Sequence, residues 1–243
     1  MGKSYFIWNG MDCRNMGVTL AGPVPIIRPE ERVKHVEIPG RSGDLTQVEG
    51  ENVYNSYIQT ATIQVRGGYH VRDVYRWLRG SGYVTFSGEP DRKQPARIIG
   101  AITLDKHSHN SDIWVGDVQF YCQPLKELLL EEKVTITAHG QTAYNAGDVT
   151  CRPMFKVTAS DSALTFALTG TGSPSSNAIG VSGLTSGDVI WIDSSAMEVL
   201  NADKTASLTA GTTGVFPVMV PGSNLVTGVG WSSIEIERRE RFL

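Results

Sequence analysis

Few positions in this 243-residue chain place chemically capable side chains at a useful spacing. Asp105, His107 and His109 alternate in the run Asp105-Lys106-His107-Ser108-His109. Alternate residues of a strand share a face, so the three could converge on a cation. A closed zinc site ordinarily takes four protein ligands, and no fourth is evident nearby. A polar strand end ahead of Asn110-Ser111 is the competing reading, and the favoured one. Glu235 and Glu237 also share a face, and glycoside hydrolysis uses two carboxylates. They stand in an alternating terminal strand beside Arg238, Arg239 and Arg241, where weak and common solvated ion pairs are the expected outcome. Gly170-Thr171-Gly172-Ser173-Pro174-Ser175 begins like a dinucleotide loop, but Ser175 stands at the last glycine and no helical pattern follows. His35, His70 and His139 are isolated from any nucleophile. There is no GxxxxGK[ST], HExxH or GxSxG. Cys13, Cys122 and Cys151 are odd in number, widely spaced and free of a CxxC, so buried reduced thiols are expected rather than a disulfide framework or zinc module. No catalytic constellation, cofactor site or metal site is expected.

The composition agrees. The net charge of -3, with 19% charged residues, gives no field that would recruit nucleic acid or a membrane. Arg28, Arg32, Arg41 and Arg66 are dispersed among acids, without the basic stripe and aromatics of a nucleic-acid binder. No apolar run approaches the roughly 18 residues of a membrane span. The start, MGKSYFIW, lacks the apolar core of a signal peptide and has Phe6 where a myristoylation pattern wants Ser or Thr.

The elements available to position side chains are mostly short strands. Asn9-Gly10 after Tyr5–Trp8 is a strong two-residue hairpin signal. Tyr57 to Arg66 alternates, with Tyr57, Ala61, Ile63 and Val65 on one face. Tyr83–Ser87, Ala96–Leu104 and Asp112–Cys122 continue the pattern, and Trp114, Val118, Phe120 and Cys122 share a face. Val71, Val74, Tyr75 and Leu78 instead recur at helical spacing beside Trp77, which predicts one helix of about ten residues ended by Gly80. Core packing is the expected role of its aromatics.

A boundary falls near Pro124–Lys133, giving domains 1–130 and 131–243. The stretch Leu125–Leu130 reads equally as a helical turn or a strand. Beyond it the composition shifts toward Gly, Ser, Thr and Ala. Strands are predicted at Val134–Ala138, Met154–Thr158, Leu164–Leu168, Val189–Ile192, Met197–Leu200, Ala206–Leu208 and Ser233–Glu237, with turns at Ser182-Gly183 and Ser186-Gly187-Asp188. That pattern argues for two packed antiparallel sheets.

The segment Val33 to Gly50, VKHVEIPGRSGDLTQVEG, reads as a hairpin around Pro39-Gly40-Arg41-Ser42-Gly43. Its strands carry so few apolar residues that the pair is marginal alone and should lean on something else. Pro39, Gly40 and Gly43 are expected to set the tip, and Arg41 and Asp44 to pair across a joint between subunits. A surface loop within one subunit is the competing reading.

Over its full length the chain resembles the distal tail proteins of long-tailed, non-contractile bacteriophages. The residues that carry the likeness are Phe6-Ile7-Trp8-Asn9-Gly10 with Asp12-Cys13, Ile38–Leu45, Val74-Tyr75-Arg76-Trp77-Leu78, Tyr83–Ser87 and Glu89-Pro90. In the second half they are Asn145-Ala146-Gly147-Asp148 leading to Arg152-Pro153, Gly187–Asp193 and Phe216–Asn224. The resemblance implies a mainly β fold. Its first domain would be a tail-tube-like β-sandwich or barrel with one short helix and a protruding hairpin. Its second would be a galectin-like antiparallel β-sandwich. It further implies a homo-hexameric ring in the virion tail that joins the tail-tube protein to the tail-tip protein, with receptor-binding proteins possible at the periphery. No catalytic residues come with it. Two other readings stand beside it. One is a carbohydrate-binding adhesion module, for which Trp191 and Trp231 are the available platforms, Trp191 lying in an apolar run where burial is expected. The other is the tail-tube subunit itself, against which the second sandwich and the Pro39–Asp44 segment argue.

Overall fold

Strand-compatible runs broken every few residues by Gly, Asn, Asp or Ser favour short antiparallel strands, and in the computed structural model the regular elements are almost all such strands. It describes residues 4–48, 50, 52–67, 71–174 and 177–243. Glu49, His70, Ser175 and the first three residues lie outside the described residues. The chain divides into two compact units, Met1–Leu129 with Leu243, and Leu130–Phe242.

The first unit contains β1 (Phe6–Trp8), β2 (Met11–Asp12), β3 (Val18–Leu20), β4 (Val33–Glu37), β5 (Asp44–Val48) and β6 (Tyr57–Arg66). Helix α1 (Val71–Trp77) follows, then β7 (Ser81–Phe86), β8 (Arg92–Ile99), β9 (Asp105–Lys106), β10 (Ile113–Cys122) and β11 (Lys126–Leu128). An antiparallel sheet runs in the order β2-β1-β7-β8-β10-β6-β3, with β9 on β10 and β11 on β8. β2 and β3 are its two ends, yet only the 3-10 turn Cys13–Met16 and Gly17 separate them in sequence. Chain reach over so few residues obliges the sheet to curl on itself. Asn9 and Gly10 both have positive φ, 50° and 79°, as a type I′ hairpin turn requires, and Trp8 faces Met11 across it.

The curled sheet closes around Phe120, whose ring meets Phe6 at 5.4 Å, Trp8 at 5.7 Å and Phe86 at 5.6 Å. Val74 of α1 and Leu78, just past its end, cover this cluster, both buried. Tyr75, expected on the same stripe, is exposed instead. Trp77 takes the inner position, stacked on Phe6 at 5.5 Å with its Nε1 donating to the Trp8 carbonyl at 3.4 Å. The larger ring reaches over the core from the helix flank, and the phenol keeps its hydroxyl in water. The helix is also shorter than expected, seven residues, though its start adjoins residues outside the description. The stretch left open between helix and strand is strand β11.

The second unit contains β12 (Lys133–Ile136), β13 (Thr142–Asn145), β14 (Met154–Ala159), β15 (Ala163–Thr169), β16 (Ala178–Ser182) and β17 (Val189–Asp193). β18 (Glu198–Leu200), β19 (Thr212–Gly214), β20 (Gly222–Val229), β21 (Trp231–Glu237) and β22 (Arg241–Phe242) complete it. Two antiparallel sheets, β12-β21-β14-β17-β18 and β13-β20-β15-β16-β19, enclose one core. Phe155 and Phe166 meet edge to face across it at 5.0 Å. The chain is thus mainly β, with one α-helix among the described residues.

The sequence pattern does not predict β13, β16, β19 and β20 as strands. β20 is central to its sheet, but Gly222, Ser223, Asn224 and Gly228 carry turn signals. Their reasons are specific. Asn224, fully buried, accepts from the Val220 N–H at 3.1 Å and donates to the Val220 and Gly222 carbonyls at 2.8 and 3.0 Å, clamping the loop that enters the strand. Gly228 has φ 143°, and a Cβ there would fall 2.0 Å from the Thr165 carbonyl. Ala206–Leu208, expected as a strand, makes only the bridge Leu200↔Ser207 before a 3-10 turn.

Candidate functional site: the exposed hairpin

β4 and β5 form a two-stranded sheet of their own, paired from Val33↔Val48 to Glu37↔Asp44. The alternation gives each face one apolar cross-strand pair, Val36–Leu45 on one and Val33–Val48 on the other. Neither face can therefore act as a core side. No residue of either strand is buried, and Leu45 and Val48 are about half exposed. The base is tied down by a separate rung. The Arg32 N–H donates to the Val53 carbonyl at 2.9 Å, the Asn55 N–H to the Glu30 carbonyl at 2.8 Å, and Tyr54 beside them is buried.

The tip follows from its residue types. Ile38 accepts from the Arg41 N–H at 3.1 Å across Pro39 and Gly40, with Gly40 at φ 83°. This is a type II turn, for which proline at the second position and glycine at the third are suited. Gly43, at φ 80°, turns the chain into β5. Pro39, Gly40, Arg41, Gly43 and Asp44 are all exposed, and all but Gly40 line a concavity of about 340 Å³ together with Glu37 and Ile38. Glu37 sits directly opposite Asp44, a like-charge cross-strand pair that weakens the hairpin. The sequence alone does not single out Glu37, whose signal is available only through the register. Among the described residues neither Arg41 nor Asp44 has an ion-pair partner, so the expected pairing does not form inside one chain.

The other candidates come apart. Asp105, His107 and His109 are exposed, and among the described residues no group of three or more His, Cys, Asp or Glu side chains gathers to hold a metal. Glu235 pairs with Lys133 at 3.0 Å, while Arg238 and Arg239 have other carboxylate partners. Those arginines are less solvated than expected. Arg239 makes two bonds to Asp193, at 2.9 and 3.0 Å, and Arg238 meets the buried Glu240 at 3.2 Å. Burial pushes the Asp193 carboxyl up, but Arg239 and the Ala196 and Ser195 N–H groups outweigh it and hold the group below its ordinary value. The three cysteines are buried, and burial pushes the Cys122 and Cys151 thiols up to about 12, so neither is a nucleophile at neutral pH.

Trp231 belongs to the sandwich core. Trp191, expected to be buried, faces outward. Ile190 and Ile192 take the inner positions of β17, because strand alternation allows only one face to the core. Lys204 lies 3.8 Å from the Trp191 ring centroid and Lys156 5.6 Å, while its Nε1 donates to the Ala202 carbonyl at 3.1 Å. The ring is thus partly covered already. Among the described residues no helix is long and apolar enough to cross a membrane.

No protein-family model matches the sequence, and no curated protein matches it. Solved structures do. The crystal structure of the Dit protein (gp 19.1) of phage SPP1, described as a paradigm of the hub adsorption apparatus in phages infecting Gram-positive hosts, matches with TM-score 0.80 and 15% identity over 100% of both chains. The baseplate of phage p2 in its activated conformation with Sr matches with TM-score 0.47 and 10% identity, again over 100% of both chains, which is too low to carry weight. The likeness to distal tail proteins expected from the sequence is thus borne out at the level of the fold, over the whole chain.

Proposed function

We propose that this chain is a structural hub protein of a long non-contractile phage tail. It forms a hexameric ring at the distal end of the tail tube and connects the tube to the tail-tip and receptor-binding apparatus. The observation that carries the reading is the whole-chain fold likeness to the SPP1 hub protein, at TM-score 0.80 with neither chain left uncovered. In this reading the first unit is the ring former and the second a galectin-like peripheral domain. The hairpin β4–β5 is a joint that laps onto the next subunit, with Arg41 and Asp44 facing partners there. Three features support the joint: among the described residues both edges of the hairpin are open, nothing on it is buried, and the Glu37–Asp44 pair would be relieved by a neighbour's cation. The protein would act without a cofactor, in the virion tail, after synthesis in the host cytoplasm.

The carbohydrate-binding alternative loses support from Trp191, whose ring is occupied by Lys204. The tail-tube alternative does not account for the second sandwich. Negative-stain electron microscopy of the purified chain tests the proposal. Six-fold rings are expected, and a clean monomer at high concentration would overturn it.

A further inference from the structure

The two sheets of the second unit have opposite outer faces. Outward positions of β12, β21, β14 and β17 include Lys133, Glu235, Lys156 and Asp193, some of them in ion pairs. Outward positions of β13, β20, β15 and β16 are Thr, Ser, Ala, Gly, Tyr, Leu or Val, and none is charged. An ordinary surface carries charge at roughly a quarter to a third of its positions, so a whole sheet face without any points to something lying against it. Its relief is uneven. Tyr144, Leu225 and Val229, on β13 and β20, are 60%, 38% and 70% exposed. The register sets Ala178 beside Ala167 and Gly180 beside Thr165, so β15 and β16 form a low strip next to that high one.

We propose that this face pairs with the same face of a second copy of the chain. Charge selects that occupant first. The face has no group to neutralise a charged partner, and burying an unpaired charge is costly. An identical neutral face meets that condition. Shape selects it again. A high strip beside a low strip is self-complementary about a two-fold axis that lies in the contact plane along the strands. Each copy's Leu225–Val229 side then meets the other's Ala167–Ala178 side. Five strands at about 4.8 Å spacing and roughly 3.3 Å rise give a footprint on the order of 450 Å² per copy. The pair thus buries about 900 Å², below the roughly 1,200–2,000 Å² of a stable interface. The contact is weak between free chains. It goes beyond the ring proposed above and does not require it.

Cross-linking at an introduced cysteine tests it in the full chain, because Cys13, Cys122 and Cys151 are buried. With a short bis-maleimide, Ala167→Cys is expected to give a covalent dimer, and Lys156→Cys, on the charged face, to give none. Adding Ala178→Arg to Ala167→Cys is expected to abolish the dimer with the far- and near-ultraviolet circular dichroism unchanged. Adding Arg41→Ala and Asp44→Ala is expected to leave it, which separates this contact from the hairpin joint. A dimer yield from Ala167→Cys no higher than that from Lys156→Cys, as for a face that takes a different protein or a glycan, would overturn the proposal. So would a dimer indifferent to Ala178→Arg.

Discussion

β7–β8 and β4–β5 are antiparallel pairs of similar length, each closed by a short turn, yet they are held in opposite ways. β7–β8 has β1 on one side and β10 on the other, and it buries Val84, Thr85, Gln94 and Ala96. Among the described residues β4–β5 has no strand on either side, and it buries nothing. Burying a large apolar side chain is worth about 1.5–3 kcal/mol, whereas a cross-strand pair contributes about 0.2–1 kcal/mol. The body of the first unit is therefore stabilised by its own chain. The hairpin retains only weak local terms, which is why a neighbouring subunit is proposed to complete it.

The sharpest way to break that contrast is to damage the body. Phe120→Ala removes the ring on which Phe6, Trp8 and Phe86 converge, and should cost about 3–5 kcal/mol in chemical denaturation followed by tryptophan fluorescence. Asn224→Ala strands the backbone groups of Val220 and Gly222, and should cost about 1–3 kcal/mol, read as a lower denaturation midpoint. Smaller still is a pH effect. Asp193 is held below its ordinary value in the folded chain, so its contribution is fully present above the unfolded value near 3.9 and is lost as pH falls through the lower folded value. A pH series of thermal melts should show this loss below about pH 4, and Asp193→Asn should remove that part of the slope. Least of all, Val36→Ser with Leu45→Ser on the hairpin should shift stability by under about 0.5 kcal/mol. A large shift there would mean that the hairpin packs on its own chain.

The sequence exposes the features that depend on local chemistry. Asn9-Gly10 signals its turn through positive φ, Pro39-Gly40 its type II tip, and Val74 with Leu78 the buried face of α1. It hides those that depend on tertiary neighbours. β20 is disguised because Asn224 and Gly228 serve a buried loop clamp and a close backbone approach. Trp191 sits in an apolar run but points outward, because Ile190 and Ile192 hold the inner positions of β17. At the candidate site the tip residues were legible, while the Glu37–Asp44 opposition needed the register, which no single strand encodes. The uncharged outer face is hidden for the same reason, being assembled from strands that span residues 142–229.

If a neighbour completes the hairpin as proposed, assembly depends on Arg41 and Asp44. Native mass spectrometry of the purified chain beside its Arg41→Ala, Asp44→Ala variant tests it most directly. A six-subunit species is expected, which the double variant loses while keeping its monomer stability. A monomer at all concentrations, or hexamers that the variant retains unchanged, would contradict it.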